Sequence, residues 1–460
     1  MRKRFLSLLL AISAAAVAMA DAPRYIFYFI GDGMGMGQVM ATEAYNRTVL
    51  GNNTPILMMQ FPVASQSTTF SASSPVTDSA AAGTALATGN KTRNGMLGMS
   101  PDSVPVRSIA AELAGKGYGI ALVTSVPIDD ATPGAFYAHV PNRGMYYEIG
   151  RQAAESGYDF LAGSNLRGTK DKEGKPNDLL DTFAANGVEI VHGMEQLASA
   201  KSDRILLLNP EEITLGQISF TIDSVAGALN LPDMTEAAIN HMKAHKPDRF
   251  FMMVEGGNID YGGHANDGGT IIKETLNFNQ ALRHAYDFYL AHPDETLIVV
   301  TADHETGGLG LGNNTVGYDL HLGYYDYQKM SKDRLADYCR SARNSRRIYE
   351  WEDMQDFLSR NLGFWGPVPV TDEQTAMLKE EFEKCFKGEA PTDKKTLYNS
   401  FNTFTELVYK VLDNLTGLGW TTNGHSGGLV PVYAIGNGAE LFTPLTDNTA
   451  IPKNIRRITE

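Results

Sequence analysis

The sequence predicts an α/β fold: a large, mostly parallel sheet with helices on both faces, one antiparallel strand and a helical insertion. Short β-branched or aromatic runs alternate with helical stretches along most of the 460-residue chain, which is typical of α/β proteins. The strand candidates are continuous apolar runs, as expected of strands that helices cover on both faces. These candidates are residues 25–30, 119–124, 250–254, 296–301 and 429–435.

Helical patterns fill the segments between these strands. They cover residues 79–88, 106–115, 145–155, 235–244 and 271–290. Residues 312–420 differ, because four charge-rich helical patterns follow one another there, at 331–344, 351–361, 371–387 and 395–415. We therefore expect residues 312–420 to be a helical insertion within one domain of residues 21–460. Residues 167–177, rich in Gly, Lys and Asp, are expected to form an exposed loop.

The first twenty residues predict a signal peptide. Arg2, Lys3 and Arg4 precede an apolar run at residues 5–17, and the Ala-Met-Ala that ends at Ala20 is a cleavage signal. The apolar run is too short to span a bilayer, which takes about 20 apolar residues. We therefore predict an exported protein, periplasmic or extracellular, without a membrane anchor.

The net charge limits the classes of binding partner, and the cysteine content limits the disulfides that the chain can form. The chain has 53 acidic against 39 basic residues, a formal net charge of −14, which argues against a nucleic-acid partner. An anionic ligand would need local cations, from the protein or from metal ions, to reverse the field at its site. Export permits a disulfide between the only two cysteines, Cys339 and Cys385, and two free buried thiols are the equal alternative.

Candidate metal ligands follow four of the predicted strands. Because the carboxyl ends of parallel strands meet at one edge of a sheet, we expect these side chains to converge. They are Asp32 after the first strand, Asp129, Asp130 and Thr132 after the second, Glu255, Asp260 and His264 after the third, and Asp303, His304 and Glu305 after the fourth. Imidazole with carboxylate suits zinc, whereas carboxylate with hydroxyl suits magnesium.

The glycine-rich loop around Asp32 does not predict a dinucleotide site. That fingerprint needs glycines at its first, third and sixth positions, and the sixth position counted from Gly31 is Met36. The glycines are better explained by a sharp backbone bend around Asp32.

A candidate nucleophile is Ser79, where the segment DSAAAGT predicts the start of a helix. Two interpretations stay open on the residues alone: the hydroxyl caps the helix, or it reacts at the positive end of the helix dipole. Serine is a weak nucleophile without a base or a metal. Since no Gly-x-Ser-x-Gly motif is present, a metal is the better candidate for its activation.

These motifs together resemble the alkaline phosphatase family. The DSA motif at residues 78–80 with Thr84 resembles the family's active-site serine signature, and the loop at Asp32 resembles its first metal-binding turn. The blocks DATP at 130–133, AHV at 138–140 with Arg143, VEGGNID at 254–260, TADH at 301–304 and GHS at 424–426 follow in family order. The matches run from about residue 25 to 436 and omit only the insertion. The resemblance implies that residues 21–460 are a catalytic domain and that the insertion forms a lid, a crown or a dimer contact.

The resemblance implies metal-dependent hydrolysis of small phosphate monoesters through a phosphoserine at Ser79. It implies two zinc ions and one magnesium ion. One zinc would be held by Asp260, His264 and His425, and the other by Asp32, Asp303 and His304, with deprotonated Ser79 as a further ligand. Magnesium would be held by Asp32, Thr132 and Glu255, with Asp130 acting through bound water. Arg143 would clamp two phosphate oxygens and so take part in both binding and catalysis.

Two features of the later chain carry separate expectations. Tyr261 stands where well-known bacterial members carry lysine and others histidine, so it would line the substrate site without a positive charge and change phosphate affinity. His425 precedes its predicted strand, whereas the other ligands follow theirs. The strand at residues 429–435 is therefore expected to run antiparallel.

Other functions are weighed against the same residues. A phosphodiesterase or sulfatase of the same superfamily is disfavoured, because Asp130, Thr132, Glu255 and Arg143 are all present. A non-catalytic exported protein that binds zinc or phosphate is disfavoured by the presence of Ser79. A homodimer rests on the resemblance alone.

Overall fold

The computed structural model describes residues 22–213, 216–345, 349–387, 393–395, 400–444 and 447–460. The predicted signal peptide, residues 1–20, lies outside this range. Among the described residues, none of the helices combines the length and the apolar character needed to cross a membrane.

A nine-stranded sheet forms the centre of the described structure. The described residues contain fifteen strands in all, nine of them in this sheet. In chain order they are β1 (Tyr25–Gly31), β2 (Val63–Ser67), β3 (Gly119–Thr124), β4 (Phe160–Ala162), β5 (Glu189–His192), β6 (Ile205–Leu208), β7 (Phe250–Glu255), β8 (Thr296–Ala302), β9 (Glu305–Thr306), β10 (Gly310–Leu311), β11 (Lys394–Lys395), β12 (Ser400–Phe401), β13 (Leu418–Gly419), β14 (His425–Ser426) and β15 (Val430–Gly436). The large sheet has the order β2-β15-β8-β1-β7-β3-β4-β6-β5. The remaining strands form three short antiparallel pairs, β10-β13, β11-β12 and β14-β9.

Helices flank this sheet and form the later part of the chain. They are α1 (Met36–Thr48), α2 (Ser79–Thr88), α3 (Ile109–Gly115), α4 (Ala131–Gly134), α5 (Tyr146–Glu155), α6 (Leu179–Ala185), α7 (Gly193–Leu197), α8 (Leu231–His245), α9 (Asn258–Ala265), α10 (Gly268–Ala291), α11 (Lys332–Asn344), α12 (Trp351–Leu362), α13 (Asp372–Lys387), α14 (Thr403–Thr416) and α15 (Ala450–Ile458).

The predicted fold class is confirmed. All five predicted strands are present to within a residue at each end, and β15 pairs antiparallel with both β8 and β2, as the position of His425 required. The other neighbouring strands of the large sheet pair in parallel. Four strands of the large sheet, β2, β4, β5 and β6, were not predicted, because runs of three to five residues carry little periodic signal.

Strand β1 illustrates why these apolar runs form a covered sheet. All seven of its residues are buried, and successive side chains point to opposite faces. Ile26 and Tyr28 pack in one core with residues of α2, α3 and α5, whereas Phe27 and Phe29 pack in another with residues of α8 and α10. Each face of the sheet therefore has its own helical cover, and only the strand ends are left to carry polar side chains.

A third core joins the helices that follow the sheet. Trp351, Phe382 and Phe404 of α12, α13 and α14 pack together in it, and this core extends to Tyr45 of α1 and Ile271 of α10. The fourth predicted helix, at residues 395–415, starts too early: β12 precedes α14, which begins at Thr403 with Asn402 as its cap. That residues 312–420 are an insertion stays a prediction.

The two cysteines are free buried thiols in this third core. The Oγ1 atom of Thr403 lies 3.3 Å from the Cys385 sulfur, and the Thr405 hydroxyl donates to the Cys339 sulfur. Burial raises the pKa of the Cys339 thiol to about 12. Of the two alternatives that the sequence left open, the structure takes the one without a disulfide.

The buried Glu274 of α10 predicts a pH dependence of stability. Burial raises the pKa of Glu274 from 4.5 to about 7, although the Thr221 amide donates to its carboxylate. Because the folded state holds this proton more tightly than the unfolded state, stability is lost as pH rises from about 4.5 to about 7. We expect Glu274→Gln to increase the free energy of unfolding by about 2 kcal/mol at pH 8 and to change it little at pH 5.

Urea denaturation of the variant and the wild type at the two pH values measures this effect. Glu236→Gln, at an exposed position of α8, is the matched control and should shift stability by less than about 0.5 kcal/mol at either pH. Equal destabilisation of Glu274→Gln at pH 5 and pH 8 would contradict the expectation.

Candidate active site

The carboxyl ends of four adjacent strands meet at one edge of the sheet, where they bring the predicted ligands together. Strands β8, β1, β7 and β3 are neighbours in that order. Their register places Thr301, Ile30, Glu255 and Thr124 side by side in one row across the four strands. The residues that immediately follow this row, Asp32 and Asp303 among them, therefore start from the same level of the sheet. The predicted convergence is confirmed in the described structure.

The turn after β1 depends on Gly33. Its φ is +68°, a conformation that L side chains rarely adopt, and an added Cβ would lie 2.9 Å from the Asp260 Cα. The Gly33 amide donates to Asp303 Oδ1 over 3.1 Å. The glycine thus allows the loops after β1, β7 and β8 to approach closely enough for their carboxylates to share one site.

Asp32, Asp303 and His304 form the first ligand cluster. His304 Nε2 lies 3.4 Å from Asp32 Oδ1 and 3.2 Å from Asp303 Oδ2. Both carboxylate oxygens are buried without a hydrogen-bond partner. Ligand atoms of the three residues lie within 4.8 Å of one another, so this trio can hold a metal ion.

Ser79 lies against this cluster, at the start of α2. Its Oγ is 3.1 Å from His304 Nε2. The N-cap of α2 is Asp78, whose carboxylate accepts from the Ala81 amide, so the Ser79 hydroxyl does not cap the helix. The hydroxyl is therefore directed to the cluster, at the positive end of the helix dipole.

Asp260, His264 and His425 form a second cluster beside the first. His264 Nε2 lies 3.1 Å from His425 Nε2 and 3.4 Å from Asp260 Oδ2. The ring of His304 stacks on His425 with centroids 3.6 Å apart, and Asp260, His304 and His425 offer ligand atoms within 4.8 Å of one another. The two clusters are therefore continuous through His304.

The imidazoles of the second cluster are oriented by backbone carbonyls. His264 Nδ1 lies 2.6 Å from the Asn423 oxygen, and His425 Nδ1 lies 2.8 Å from the Thr77 oxygen. Since a carbonyl only accepts, each Nδ1 carries the proton, and Nε2 is the ring nitrogen that a metal ion would use. This arrangement is the usual support of metal-binding histidines in proteins.

The carboxylates of the site repel one another strongly. Burial, together with neighbouring carboxylates, raises the pKa of Asp32, Glu255 and Asp303. Burial also acts to raise the pKa of Asp260, but the adjacent imidazoles of His264 and His425 outweigh it and lower that pKa. Divalent cations would offset this excess of negative charge.

Glu255, Thr132 and Asp130 lie on the β3 side of the site. Glu255 is buried and accepts from the Thr124 hydroxyl over 2.5 Å, with the Thr132 hydroxyl beside it. Asp130 caps the short helix α4 by accepting from the Ala131 amide. An oxygen-only set of this kind suits magnesium better than zinc.

Arg143 reaches the site from the segment after α4. Its guanidinium lies 3.5 Å from Asp78 Oδ2 and 3.2 Å from Asp130 Oδ1. The guanidinium therefore has a carboxylate partner from the N-cap of α2 and another from the N-cap of α4. A guanidinium held in this way can present two parallel donors to one phosphate group.

Arg167 is a site residue that the sequence analysis missed. We expected residues 167–177 to form an exposed loop, but the Arg167 side chain is only 26 % exposed and lies 3.2 Å from Asp130. It also donates to the Tyr261 hydroxyl over 2.7 Å. Within that loop, residues 170–176 are exposed as expected, whereas Gly168 is buried. A Gly- and Lys-rich composition gave no signal that its first residue would turn inward.

Two further residues support the ligands. Thr306 of β9 donates to Asp260 Oδ1 and lies 3.2 Å from His304 Nδ1. Asp78 is the N-cap of α2 and also forms an ion pair with Arg143. Thr306 follows His304 by two residues, and Asp78 directly precedes Ser79. This closeness to predicted site residues is the sequence feature that could have indicated their roles.

Known proteins share this architecture. A family model described as alkaline phosphatase matches residues 24–168 and 159–460. Alkaline phosphatase 3 of Bacillus subtilis is 30% identical over 448 residues, which cover 95% of this chain and 88% of that protein. The structure of the cold-active alkaline phosphatase of a psychrophilic Shewanella superposes with a TM-score of 0.79 at 27% identity, covering 95% of this chain and 99% of that one.

A further structure comes from the Antarctic bacterium TAB5. It is a mutant alkaline phosphatase described as having Mg bound in its M3 site, and it superposes with a TM-score of 0.65 at 26% identity over 96% of this chain and 99% of that one. The match of the family model over nearly all of the described residues, together with the fold and the convergent ligand clusters, shows that this chain belongs to the alkaline phosphatase family.

Proposed function

We propose that this protein hydrolyses phosphate monoesters to an alcohol and inorganic phosphate through a phosphoserine at Ser79. Membership of the alkaline phosphatase family supports phosphomonoester hydrolysis. The observation that carries the finer proposal is the position of Ser79 Oγ, 3.1 Å from His304 Nε2 and beside the cluster of Asp32, Asp303 and His304.

The family implies divalent metals, and the donor sets fit them. We propose zinc at Asp260, His264 and His425, a second zinc at Asp32, Asp303 and His304, and magnesium at Asp32, Thr132 and Glu255, with Asp130 nearby. The buried unpartnered oxygens of Asp32, Asp260 and Asp303 support this assignment, because a cation would satisfy them. When bound, such cations lower the pKa of coordinated hydroxyl groups and stabilise negative charge on phosphoryl oxygens.

The chain's own groups then carry the following steps. Ser79 Oγ attacks phosphorus and gives its proton to solvent water, the ester P–O bond breaks, and the alcohol departs with that electron pair and takes a proton from water. Water next attacks the phosphoserine, which releases inorganic phosphate and restores Ser79. Arg143 binds two phosphoryl oxygens in both steps, since Asp78 and Asp130 fix its guanidinium.

We also propose that residues 1–20 direct export to the periplasm or the medium. The basic residues, apolar run and Ala-Met-Ala of that segment support this proposal. The N-terminal sequence of the protein recovered from periplasm and medium tests it. We expect a mature chain that begins at Asp21; a chain in the cytosol that begins at Met1 would overturn the proposal.

Metal removal and substrate comparison test the function directly. We expect a chelator to abolish hydrolysis of an aryl phosphate at pH 8–10, and zinc with magnesium to restore it. A bis-aryl phosphate and an aryl sulfate should be cleaved at least about 100-fold more slowly, because the diester has no terminal phosphoryl group and the sulfate carries one negative charge fewer than a phosphate monoester dianion. Faster turnover of the diester or sulfate would overturn the monoester proposal, and turnover that survives the chelator would overturn the metal dependence.

A further inference from the structure

Asp130 lies between two guanidinium groups. Its Oδ1 is 3.2 Å from Arg143 Nη2, and its Oδ2 is 3.2 Å from Arg167 Nη1. The carboxylate is almost fully buried, with a side chain only 7 % exposed. Screening by water is therefore weak, and the two ion pairs are coupled through one carboxylate.

The guanidinium of Arg167 is fixed by partners besides Asp130. Its Nη2 donates to the Tyr261 hydroxyl over 2.7 Å, and its Nη1 donates to the Tyr146 hydroxyl over 3.1 Å. The guanidinium also lies 5.3 Å from the centre of the Tyr146 ring. A planar group with donors directed in several directions uses these contacts fully, and the compact ammonium of a lysine would not.

The backbone at Arg167 is anchored to the same motif that carries Asp130. Both oxygens of the neighbouring Asp129 accept from this backbone, one from the Arg167 amide over 2.9 Å and the other from the Gly168 amide over 2.7 Å. A Cβ on Gly168 would lie 2.6 Å from backbone atoms of Tyr146, so only glycine allows this close approach. Asp129 thus binds the main chain of Arg167, and Asp130 binds its side chain.

Charge balance gives this arrangement a consequence for an anion. Asp78 and Asp130 contribute two negative charges beside Arg143, and Arg143 and Arg167 contribute two positive ones. Without Arg167, one uncompensated carboxylate charge would remain next to the phosphate site. The hydroxyl of Tyr261 supplies no cation, but it accepts from Arg167 and so helps to place one.

We propose that Arg167 is a positioning residue of the phosphate site. It neutralises and orients Asp130 on the side away from Arg143, so that Arg143 is held in place without a net negative charge beside the bound phosphate. The positive charge that position 261 lacks is thereby provided from the segment that follows β4. This inference rests on the proposed function, because it takes a phosphoryl group as the ligand of Arg143.

Binding of inorganic phosphate to the metal-loaded protein tests this role, with kinetics beside it. We expect Arg167→Gln to weaken phosphate binding and raise KM by about tenfold while kcat changes by less than about threefold. Arg167→Lys should recover part of the affinity, and Tyr261→Phe, which keeps the ion pair, should weaken binding by about threefold. Lys172→Gln removes an exposed charge from the same loop and should stay within about twofold of wild type.

Isothermal titration calorimetry with phosphate, thermal denaturation and steady-state kinetics separate the outcomes. Phosphate affinity of Arg167→Gln within twofold of wild type, with a lowered Tm, would overturn the proposal and leave Arg167 as a purely structural residue. An equal loss in Lys172→Gln would also overturn it, since the effect would then be one of general charge. If the wild type hydrolysed no monoester, the proposed function would fail, and the calorimetric comparison would still decide the role of Arg167 in phosphate binding.

Discussion

Ser79→Ala is expected to lower kcat for an aryl phosphate by roughly 10⁴-fold or more, because it removes the proposed nucleophile. The loss should come without unfolding. Asp78, rather than Ser79, caps α2, so the helix keeps the acceptor for its Ala81 amide. Zinc content should stay close to that of the wild type, since Asp32, Asp303 and His304 are unchanged.

The control for this substitution is Ser199→Ala. Ser199 is exposed and its hydroxyl donates only locally, to the Gln196 carbonyl, so activity should stay within twofold of wild type. Asp78→Ala separates the cap from the nucleophile: we expect it to lower stability by about 1 kcal/mol, which Ser79→Ala should not do. A Ser79→Ala protein that kept a tenth of wild-type activity would contradict the nucleophile assignment.

His304→Ala is expected to cause the second large loss, at least about 10³-fold in kcat/KM, together with a loss of bound zinc. His304 contacts Asp32, Asp303 and Ser79, and its ring stacks on His425. Removal of this imidazole takes one ligand from the first cluster and the contact that joins it to the second. Elemental analysis after dialysis measures the zinc content apart from activity.

His245→Ala is the matched control for this substitution. His245 is an exposed imidazole near the end of α8, and its ring stacks on that of His241. The loss of this imidazole should change neither zinc content nor kcat/KM by more than about twofold. Unchanged zinc content in His304→Ala would contradict its assignment as a ligand, whatever happened to activity.

The sheet and the meeting of the candidate ligands at one of its edges could be predicted because both follow from local sequence. The strand ends are marked by apolar runs that stop at polar residues, and parallel pairing brings those ends together, as it does for Asp32, Glu255 and Asp303. The antiparallel direction of β15 followed from His425 preceding its strand while the other ligands follow theirs. Chain geometry, together with the resemblance that places His425 among the ligands, thus predicted which edge of the sheet carries the candidate site.

Arg167 could not be predicted, because its role depends on tertiary contacts. Its neighbours Asp130, Tyr146 and Tyr261 come from three other segments, and nothing in the Gly- and Lys-rich loop marks its first residue as buried. The short strands β4, β5 and β6 were not predicted for a related reason. Three or four residues are too few to show a hydrophobic period. These strands form because they pair with one another in the sheet, β6 lying between β4 and β5.

The reaction through Ser79 is tested most directly by trapping its intermediate. Metal-loaded wild type and Ser79→Ala would be mixed with an aryl phosphate, quenched with acid and digested, and the peptide that contains Ser79 analysed by mass spectrometry. We predict that the wild-type peptide gains one phosphoryl group on Ser79 and that neither the variant nor chelator-treated wild type gains one. An unmodified peptide during rapid turnover under conditions that favour accumulation, or a phosphoryl group on another residue, would contradict the account.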